Sequence, residues 1–464
     1  IELFMKTLYV KNFYGLAFLL PFVLSSFFLG SPLFAQSSKN TNGLDIKRWD
    51  DEMGSRVYFV KTNRLPIIDV AIDVDAGSRW DPVGKEGLAS MVSNMLFKGH
   101  KDKKLIIGEE KVGEFFAENS IIRSVSTSRD KVTITLRFLN EPEVIERVIR
   151  FISAVFKGPL VNNSILERQK DLKILGLREA LTRPQQIALR ELWKRMYPEH
   201  PYGRSPTEQS LKNLDRVNLL EFFETFWTPP RMTFSIVGDV SKKTVKKFVS
   251  TVSQARTMVG ETKTQPSGYN TILPPVIYPL GKTAEIEHPA EQSHIWIGLP
   301  LMARHQTEDV FPFFVANHIL GGSGFGSRLT SEVREKRGLS YSVFSGFSLL
   351  KQKGPFFIGL QTGKEKREEA LGIVRTTLED FVKNGPTSEE LESAKTGLIG
   401  GFALKLDSNR KTLLNLSQIA FYNLPLDYLD EWVDNMTAVT REDVMRVLRT
   451  YFSMENLSTV VIGK

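Results

Sequence analysis

The sequence IDVAIDV at residues 68–74 places an apolar residue at every second position, which is the pattern of a half-buried β-strand. A second stretch of this kind, SHIWIGL, occupies residues 293–299. The central residues of the two stretches, Ala71 and Trp296, lie 296 − 71 = 225 positions apart. Because short apolar strands are common, a single match carries little weight, and only further matches at the same spacing would make it meaningful.

Three further pairs of segments repeat at nearly the same spacing. They are TITL at 133–136 with FIGL at 357–360 (358 − 134 = 224), KGP at 157–159 with NGP at 384–386 (385 − 158 = 227), and FSIVG at 234–238 with STVVIG at 458–463 (463 − 238 = 225). Four matches that keep one spacing within a few residues predict an internal duplication of the chain.

Each half of the duplication mixes strand patterns with helical ones. Apolar residues recur at three- and four-residue steps over residues 141–157, and residues 365–382 correspond to them in the second half. We therefore predict an α+β fold of two homologous domains, each a mostly antiparallel sheet packed with helices. A stretch rich in Pro and Gly separates them, which places the N-terminal domain at 36–259, a linker at 260–284 and the C-terminal domain at 285–464.

The first 35 residues have the pattern of a secretory signal peptide. Lys6 and Lys11 precede an apolar stretch at 16–29, and a small residue, Ala35, stands before a polar one. The alternative is an uncleaved anchor helix, but the apolar stretch is short for a membrane span and Pro21 interrupts it. The expectation is a periplasmic or secreted protein with no stable membrane span after cleavage.

Composition excludes several classes of function. Lys and Arg are scattered among Asp and Glu, and a net charge of +8 is mild for 464 residues, so no nucleic-acid partner is expected. The chain contains no cysteine, which rules out thiolate metal sites and cysteine nucleophiles. An exported chain without disulfides must rely on its hydrophobic cores for stability, and this length permits that.

The segment GLASMVSNMLFKG at residues 87–99 resembles the zinc-binding helix of the pitrilysin–insulinase peptidases, G-x-A-H-x-x-E-H-M-x-F-x-G. In that inverted motif two histidines bind the metal and the glutamate activates its water. Here Ser90, Ser93 and Asn94 stand at those three positions, and their oxygens are poor zinc ligands. The family's remaining ligand should fall near Gly176, although Glu179 lies close enough to leave the alignment open.

The resemblance extends over nearly the whole mature chain, since YPEHPYG at residues 197–203 is similar to the family's Y-P-x-H-P-Y-G turn. It implies that this chain binds no metal and that zinc is held by a partner. The six histidines are poor candidates for an alternative zinc site, because no two of them are four positions apart.

A second signature of the same family is intact. LGGSGFGSRL at 320–329 and EVREKRGLSYS at 332–342 resemble L-G-G…S-R-L…L-R-E-K-R-G-L-A-Y-S. The resemblance implies that Arg334 and Tyr341 hold the carbonyl or oxyanion of a substrate from the side opposite the zinc. Both side chains carry donors suited to that role. The alternatives are a surface arginine that pairs with nearby glutamates and a tyrosine packed in the core.

The glycine-rich loop contains Gly321, Gly322 and Gly324. A phosphate-binding loop would need a strand before it, a helix after it and a Lys-Ser/Thr end, which this sequence lacks. Close backbone approach at a crowded contact is the preferred interpretation of these glycines.

Within this family, short bacterial chains of two domains often pair as unlike subunits, one with the zinc motif and the other with the Arg/Tyr pair. The resemblance implies that this chain is the second kind: a non-catalytic, substrate-binding subunit that is inactive alone and forms a heterodimer with a zinc-bearing homologue to hydrolyse peptides. One alternative is a peptide-binding or scaffold protein without a role in catalysis. Another is a peptidase that uses other residues.

Overall fold

The computed structural model of the chain describes residues 44–102, 105–257 and 272–463. The predicted signal peptide lies outside these residues, as do residues 260–271 of the predicted linker, so both remain predictions. Among the described residues, no helix combines the length and the apolar character that crossing a membrane requires.

The N-terminal half consists of a six-stranded sheet, a small two-stranded sheet and their helices. Its strands are β1 (Lys47–Asp50), β2 (Arg56–Lys61), β3 (Ile67–Val74), β4 (Gly99–Asp102), β5 (Leu105–Gly108), β6 (Ile122–Thr127), β7 (Val132–Leu139) and β8 (Met232–Gly238). Its helices are α1 (Leu88–Met95), α2 (Glu109–Glu118), α3 (Pro142–Phe156), α4 (Asn163–Ala180), α5 (Pro184–Met196), α6 (Glu208–Lys212), α7 (Arg216–Phe226) and α8 (Lys242–Thr257).

The C-terminal half contains a five-stranded sheet and its helices. Its strands are β9 (Thr283–Ile286), β10 (Gln292–Pro300), β11 (Ser340–Phe347), β12 (Pro355–Gly363) and β13 (Ser458–Ile462). Its helices are α9 (Thr307–Asn317), α10 (Arg367–Asn384), α11 (Ser388–Gly400), α12 (Asn409–Tyr422), α13 (Trp432–Ala438) and α14 (Arg441–Tyr451). Strand β9 includes Thr283 and Ala284, the last two residues of the predicted linker.

The two main sheets have the same strand order. The N-terminal order is β1-β2-β8-β3-β7-β6, and the C-terminal order, written from its other edge, is β9-β13-β10-β12-β11. Without β1 the sheets correspond strand for strand: β2 runs parallel to β8 as β9 does to β13, and the remaining pairs are antiparallel. This confirms the predicted fold class of two duplicated, mostly antiparallel α+β domains.

A glycine with a positive φ follows each of the corresponding helices α3 and α10. Helix α3 begins with Pro142, whose missing N–H costs nothing at the first position, and buries Val148 and Ile152. Beyond its last residues Gly158 has a φ of +142°, and Gly385 has a φ of +70° after α10. The repeated Gly-Pro segment therefore ends a helix in each half, because the chain leaves the helix through a positive φ that glycine adopts readily.

The halves exchange one helix each. Helix α5 of the first half packs on strands β10 and β13 of the second, where Leu192 and Met196 join a core with Trp296 and Val460. Helix α12 of the second half packs on strands β2, β3 and β8 of the first. Each domain's sheet is thus covered on one face by a helix from the other domain.

Asp130 connects the two halves with several hydrogen bonds. Its carboxylate accepts from the Tyr202 hydroxyl at 2.6 Å, the Tyr422 hydroxyl at 3.0 Å and the backbone N–H of Lys351 at 2.8 Å. The Tyr202 hydroxyl also accepts from the backbone N–H of Gln352 at 3.2 Å. The turn at 197–203 is therefore an interdomain contact.

Candidate functional site

Helix α1 carries the degenerate zinc motif, and a buried carboxylate holds its first turn. Asp81 accepts from the backbone N–H of Gly87 at 2.8 Å and of Ala89 at 2.7 Å. Gly87 adopts a φ of +104°, a backbone conformation that would be strained in a residue with a side chain. Burial raises the pKa of Asp81 to about 7.

Two of the three altered motif positions, Ser90 and Ser93, form side-chain hydrogen bonds with other groups. Ser93 is buried, and its hydroxyl lies 2.9 Å from the Thr127 hydroxyl and donates to the Ser90 carbonyl at 3.0 Å. Ser90 and Asn94 are half-buried. The Ser90 hydroxyl accepts from the Lys173 ammonium at 2.7 Å.

Lys173 reaches this position from helix α4, the helix in which the resemblance places the family's remaining ligand. It is half-buried, and desolvation lowers the pKa of its amine to about 8, against the opposing effect of the Asp81 charge. Gly176 and Glu179, the two positions considered for that ligand, are both exposed, and Glu179 pairs with Arg183 at 2.5 Å.

The donor set at this site does not fit zinc. Zinc in proteins prefers imidazole, thiolate and carboxylate ligands, whereas the site presents two hydroxyls, a carboxamide and a cationic amine. Over residues 44–102, 105–257 and 272–463, no group of three or more His, Cys, Asp and Glu side chains is placed to hold a metal. We therefore assign no metal-dependent step to this chain.

The second candidate site is a stack of three side chains in the C-terminal domain, which we call the Arg334 stack. The guanidinium carbon of Arg334 lies 4.8 Å from the ring centre of Phe325 and 4.9 Å from that of Tyr341. Tyr341 is 84% exposed and Phe325 67% exposed. Large exposed aromatics that flank a cation are typical of binding surfaces rather than of a core.

Two π-helical turns position the Arg334 stack. His318–Gly322 leads into the glycine-rich loop, and Thr330–Glu335 carries Arg334. Such wide turns are rare and occur frequently at functional sites. Tyr341 follows at the start of β11, the edge strand of the C-terminal sheet.

The glycines of the loop have two different structural roles. A Cβ on Gly321 would lie 2.4 Å from the backbone nitrogen of Ser345, and one on Gly322 would lie 2.6 Å from the Asn317 amide nitrogen. Close approach therefore explains both. Gly324 has open space around it but a φ of +70°, so it forms the turn that precedes Phe325.

Both structural alternatives for the Arg/Tyr pair disagree with the geometry. Glu332 pairs with Lys336 and Arg337, and Arg334 has no ion pair among the described residues. Tyr341 lies on the surface instead of in the core. The substrate-binding role of Arg334 and Tyr341 remains a prediction.

Sequence reasoning missed Lys173 and Phe325. Phe325 was inside the quoted glycine-rich signature, where an exposed aromatic between two glycines was the available signal. Lys173 was inside the segment searched for a metal ligand, but its contact with Ser90 joins residues 83 positions apart and has no signal in the sequence.

Comparison with known proteins places both halves in one family. Residues 56–209 match the model described as insulinase (peptidase family M16), and residues 213–398 match the model described as peptidase M16 inactive domain. A Bacillus subtilis (strain 168) protein named as the uncharacterized zinc protease YmxG is 24% identical over 88% of this chain and 96% of its own length. A Helicobacter pylori (strain ATCC 700392 / 26695) protein, named as the non-peptidase homolog YmxG, is 21% identical over 88% and 91%.

Solved structures agree with the fold. A structure described as a peptidase M16 inactive domain from Pseudomonas fluorescens superposes with a TM-score of 0.82 at 28% identity, over 90% of this chain and 98% of that one. The periplasmic protease PqqL from Escherichia coli superposes with a TM-score of 0.73 at 16% identity, over 97% of this chain and 49% of its own. With both domains matched and the zinc motif replaced, the chain belongs to the insulinase family, peptidase family M16, as a homologue of its inactive type.

Proposed function

We propose that this chain is the non-catalytic, substrate-binding subunit of an exported zinc metallopeptidase. In this proposal a homologous subunit with an intact zinc motif cuts the peptide, and this chain holds it. The observation that carries the proposal is the exposed Arg334 stack, which places a cation and a phenol on the surface where a partner or a peptide can reach them.

The chemistry of the Arg334 stack suits a peptide carbonyl. Contact with the Phe325 and Tyr341 rings fixes the orientation of the Arg334 guanidinium plane. The N–H groups remain at the edge of that plane, where they can donate. Those N–H groups and the Tyr341 hydroxyl are donors for a carbonyl oxygen or for the negative charge that develops on it. Such donors stabilise a transition state without performing proton transfer or nucleophilic attack.

The N-terminal site supports the absence of autonomous zinc chemistry. Ser90, Ser93 and Asn94 offer no carboxylate or imidazole base, and the Lys173 ammonium contacts Ser90, which stands at the position of the family's first histidine. A zinc-bearing partner would supply both the metal and the base. The proposed location is periplasmic or secreted, in line with the sequence of residues 1–35 and the periplasmic description of PqqL.

The experiment is reconstitution. The mature chain is mixed with a homologue from the same source that carries H-x-x-E-H, and cleavage of a fluorogenic peptide library is followed with and without a chelator. We expect each subunit alone to be inactive and the mixture to show chelator-sensitive cleavage. Full activity of the zinc subunit alone, unchanged by this chain, would contradict the proposal.

The alternative function is a scaffold of the same fold that assembles but does not touch substrate. The exposure of Tyr341 argues against it, because a scaffold gains nothing from an aromatic–arginine pair in solvent. Under the scaffold alternative, substitutions in the Arg334 stack would leave the rate of cleavage unchanged.

A further inference from the structure

The altered zinc site is occupied by a charged side chain of the protein itself. Lys173 reaches from α4 to within 2.7 Å of the Ser90 hydroxyl, at the position of the family's first histidine ligand. No carboxylate among the described residues lies within ion-pair distance of this ammonium. The nearby Asp81 carboxylate is committed to the backbone of α1, through Gly87 and Ala89.

We infer that Lys173 is a built-in replacement for the metal: its ammonium occupies the cation position between α1 and α4 and excludes zinc from the site. This inference concerns the N-terminal domain alone and does not rest on the proposed function. It implies that exclusion of the metal is an active property of the site, in addition to the loss of ligands.

Three features of the contact support a replacement rather than an incidental surface bond. Ser90 lies on α1, which carries the altered zinc motif, and Lys173 lies on α4, where the resemblance places the family's remaining ligand. The lysine side chain is half-buried, and burial of its ammonium costs desolvation free energy that a surface lysine does not lose. A divalent cation at the same position would meet a like charge within a few ångströms, and in a partly buried site that repulsion is strong.

The test asks whether Lys173 blocks zinc even when ligands are present. The parent variant restores the family's ligands with Ser90→His, Ser93→Glu, Asn94→His and Gly176→Glu. The test variants add Lys173→Ala, which removes the charge and opens space, or Lys173→Met, which removes the charge at similar length. The control adds Lys157→Ala, which removes an exposed positive charge at the end of α3. Zinc affinity is measured by calorimetry and metal content by elemental analysis.

We expect the Lys173→Ala variant to bind zinc at least about a hundredfold more tightly than the parent, which corresponds to two tenfold steps in binding constant. Lys173→Met should also increase the affinity, whereas Lys157→Ala should leave it near that of the parent. Circular dichroism checks that each variant is folded.

Equal zinc affinity with and without Lys173 would overturn the inference, and so would the absence of measurable binding in all folded variants. Equal affinity would mean that lost ligands alone exclude the metal, and no binding in any folded variant would mean that a feature other than Lys173 excludes it. An increase in affinity with Lys157→Ala as large as that with Lys173→Ala would also overturn it, because the effect would then come from net charge alone.

Discussion

Asp81 is a fully buried carboxylate whose two acceptor bonds go to the backbone of α1. Its pKa of about 7 in the folded chain lies above the usual 3.8, because burial disfavours the charged form. Between these values the folded chain holds a proton that the unfolded chain has released. Its contribution to stability is therefore fully present at low pH and is lost as the pH rises to about 7.

We predict that Asp81→Asn removes this pH dependence. The free energy of unfolding of the natural chain should fall between pH 5 and 7.5, relative to that of the variant, with a slope of up to about 1.4 kcal/mol per pH unit. Urea unfolding at both pH values measures the difference. The low pKa of Asp75, about 2, lies outside this window and does not interfere.

The matched control for this prediction is Asp45→Asn, at an exposed carboxylate in the same domain. The stability of that variant relative to the natural chain should not change between the two pH values. If the difference between natural chain and Asp81→Asn is the same at pH 5 and 7.5, the buried carboxylate is ionised throughout and the account of α1 is wrong.

At the scale of elements, helix α12 crosses from the C-terminal domain to the N-terminal sheet and is fixed there by buried charges. The Lys131 ammonium lies 2.9 Å from the Asp73 carboxylate, and the Ser417 hydroxyl of α12 donates to the same carboxylate at 2.5 Å. Lys131 also donates to Ser417 at 2.9 Å. The side chain of Asp73 is completely buried.

We predict that Lys131→Met lowers the free energy of unfolding by about 3–5 kcal/mol, because it leaves the Asp73 charge buried without its partner. The double variant Lys131→Met/Asp73→Asn should recover part of the loss, since it removes the stranded charge. Urea unfolding at pH 7 measures both. Lys47→Met, at an exposed pair with Asp45, is the control and should change stability by less than about 0.5 kcal/mol. A loss for Lys131→Met no larger than that of the control would contradict this account of the interface.

Local patterns in the sequence predicted the elements but not how they are exchanged. The strand at 68–74 became β3 (Ile67–Val74), and the repeated stretch at 293–299 became β10 (Gln292–Pro300). Alternating apolar residues along each stretch and the Gly-Pro stops after α3 and α10 are local signals, so they could be found at a fixed spacing. The sequence predicted half-buried strands, whereas the structure buries nearly every residue of β3 and β10, because a helix of the other domain covers the second face of each sheet. The packing of α12 on the other domain depends on contacts such as Ser417 with Asp73, 344 positions apart.

The same limit applies to the candidate site. Arg334 and Tyr341 were found because they stand seven positions apart within one signature, and the structure brings them together. Lys173 was found only in the structure, because its contact with Ser90 depends on how α4 packs against α1.

At the scale of the whole molecule, the duplication gives each domain an equivalent sheet but a different site. The N-terminal domain presents a lysine that donates to Ser90 of the altered zinc motif, and the C-terminal domain presents the Arg334 stack. The proposal assigns attack on the peptide bond to a partner subunit and the holding of its carbonyl to this one. The chemistry of peptide cleavage would thus be divided between two chains of one fold.

The most direct test measures the rate of peptide cleavage by the reconstituted complex when the Arg334 stack is altered. Arg334→Ala and Tyr341→Phe should each lower turnover by roughly a hundred- to a thousandfold, since a lost transition-state donor typically costs about 2.7–4 kcal/mol. Both complexes should still assemble, as judged by light scattering, because these side chains are on the surface. Arg449→Ala, at an exposed arginine of α14, should leave turnover unchanged. Full turnover by either Arg334→Ala or Tyr341→Phe in an assembled complex would contradict the substrate-binding account and favour the scaffold.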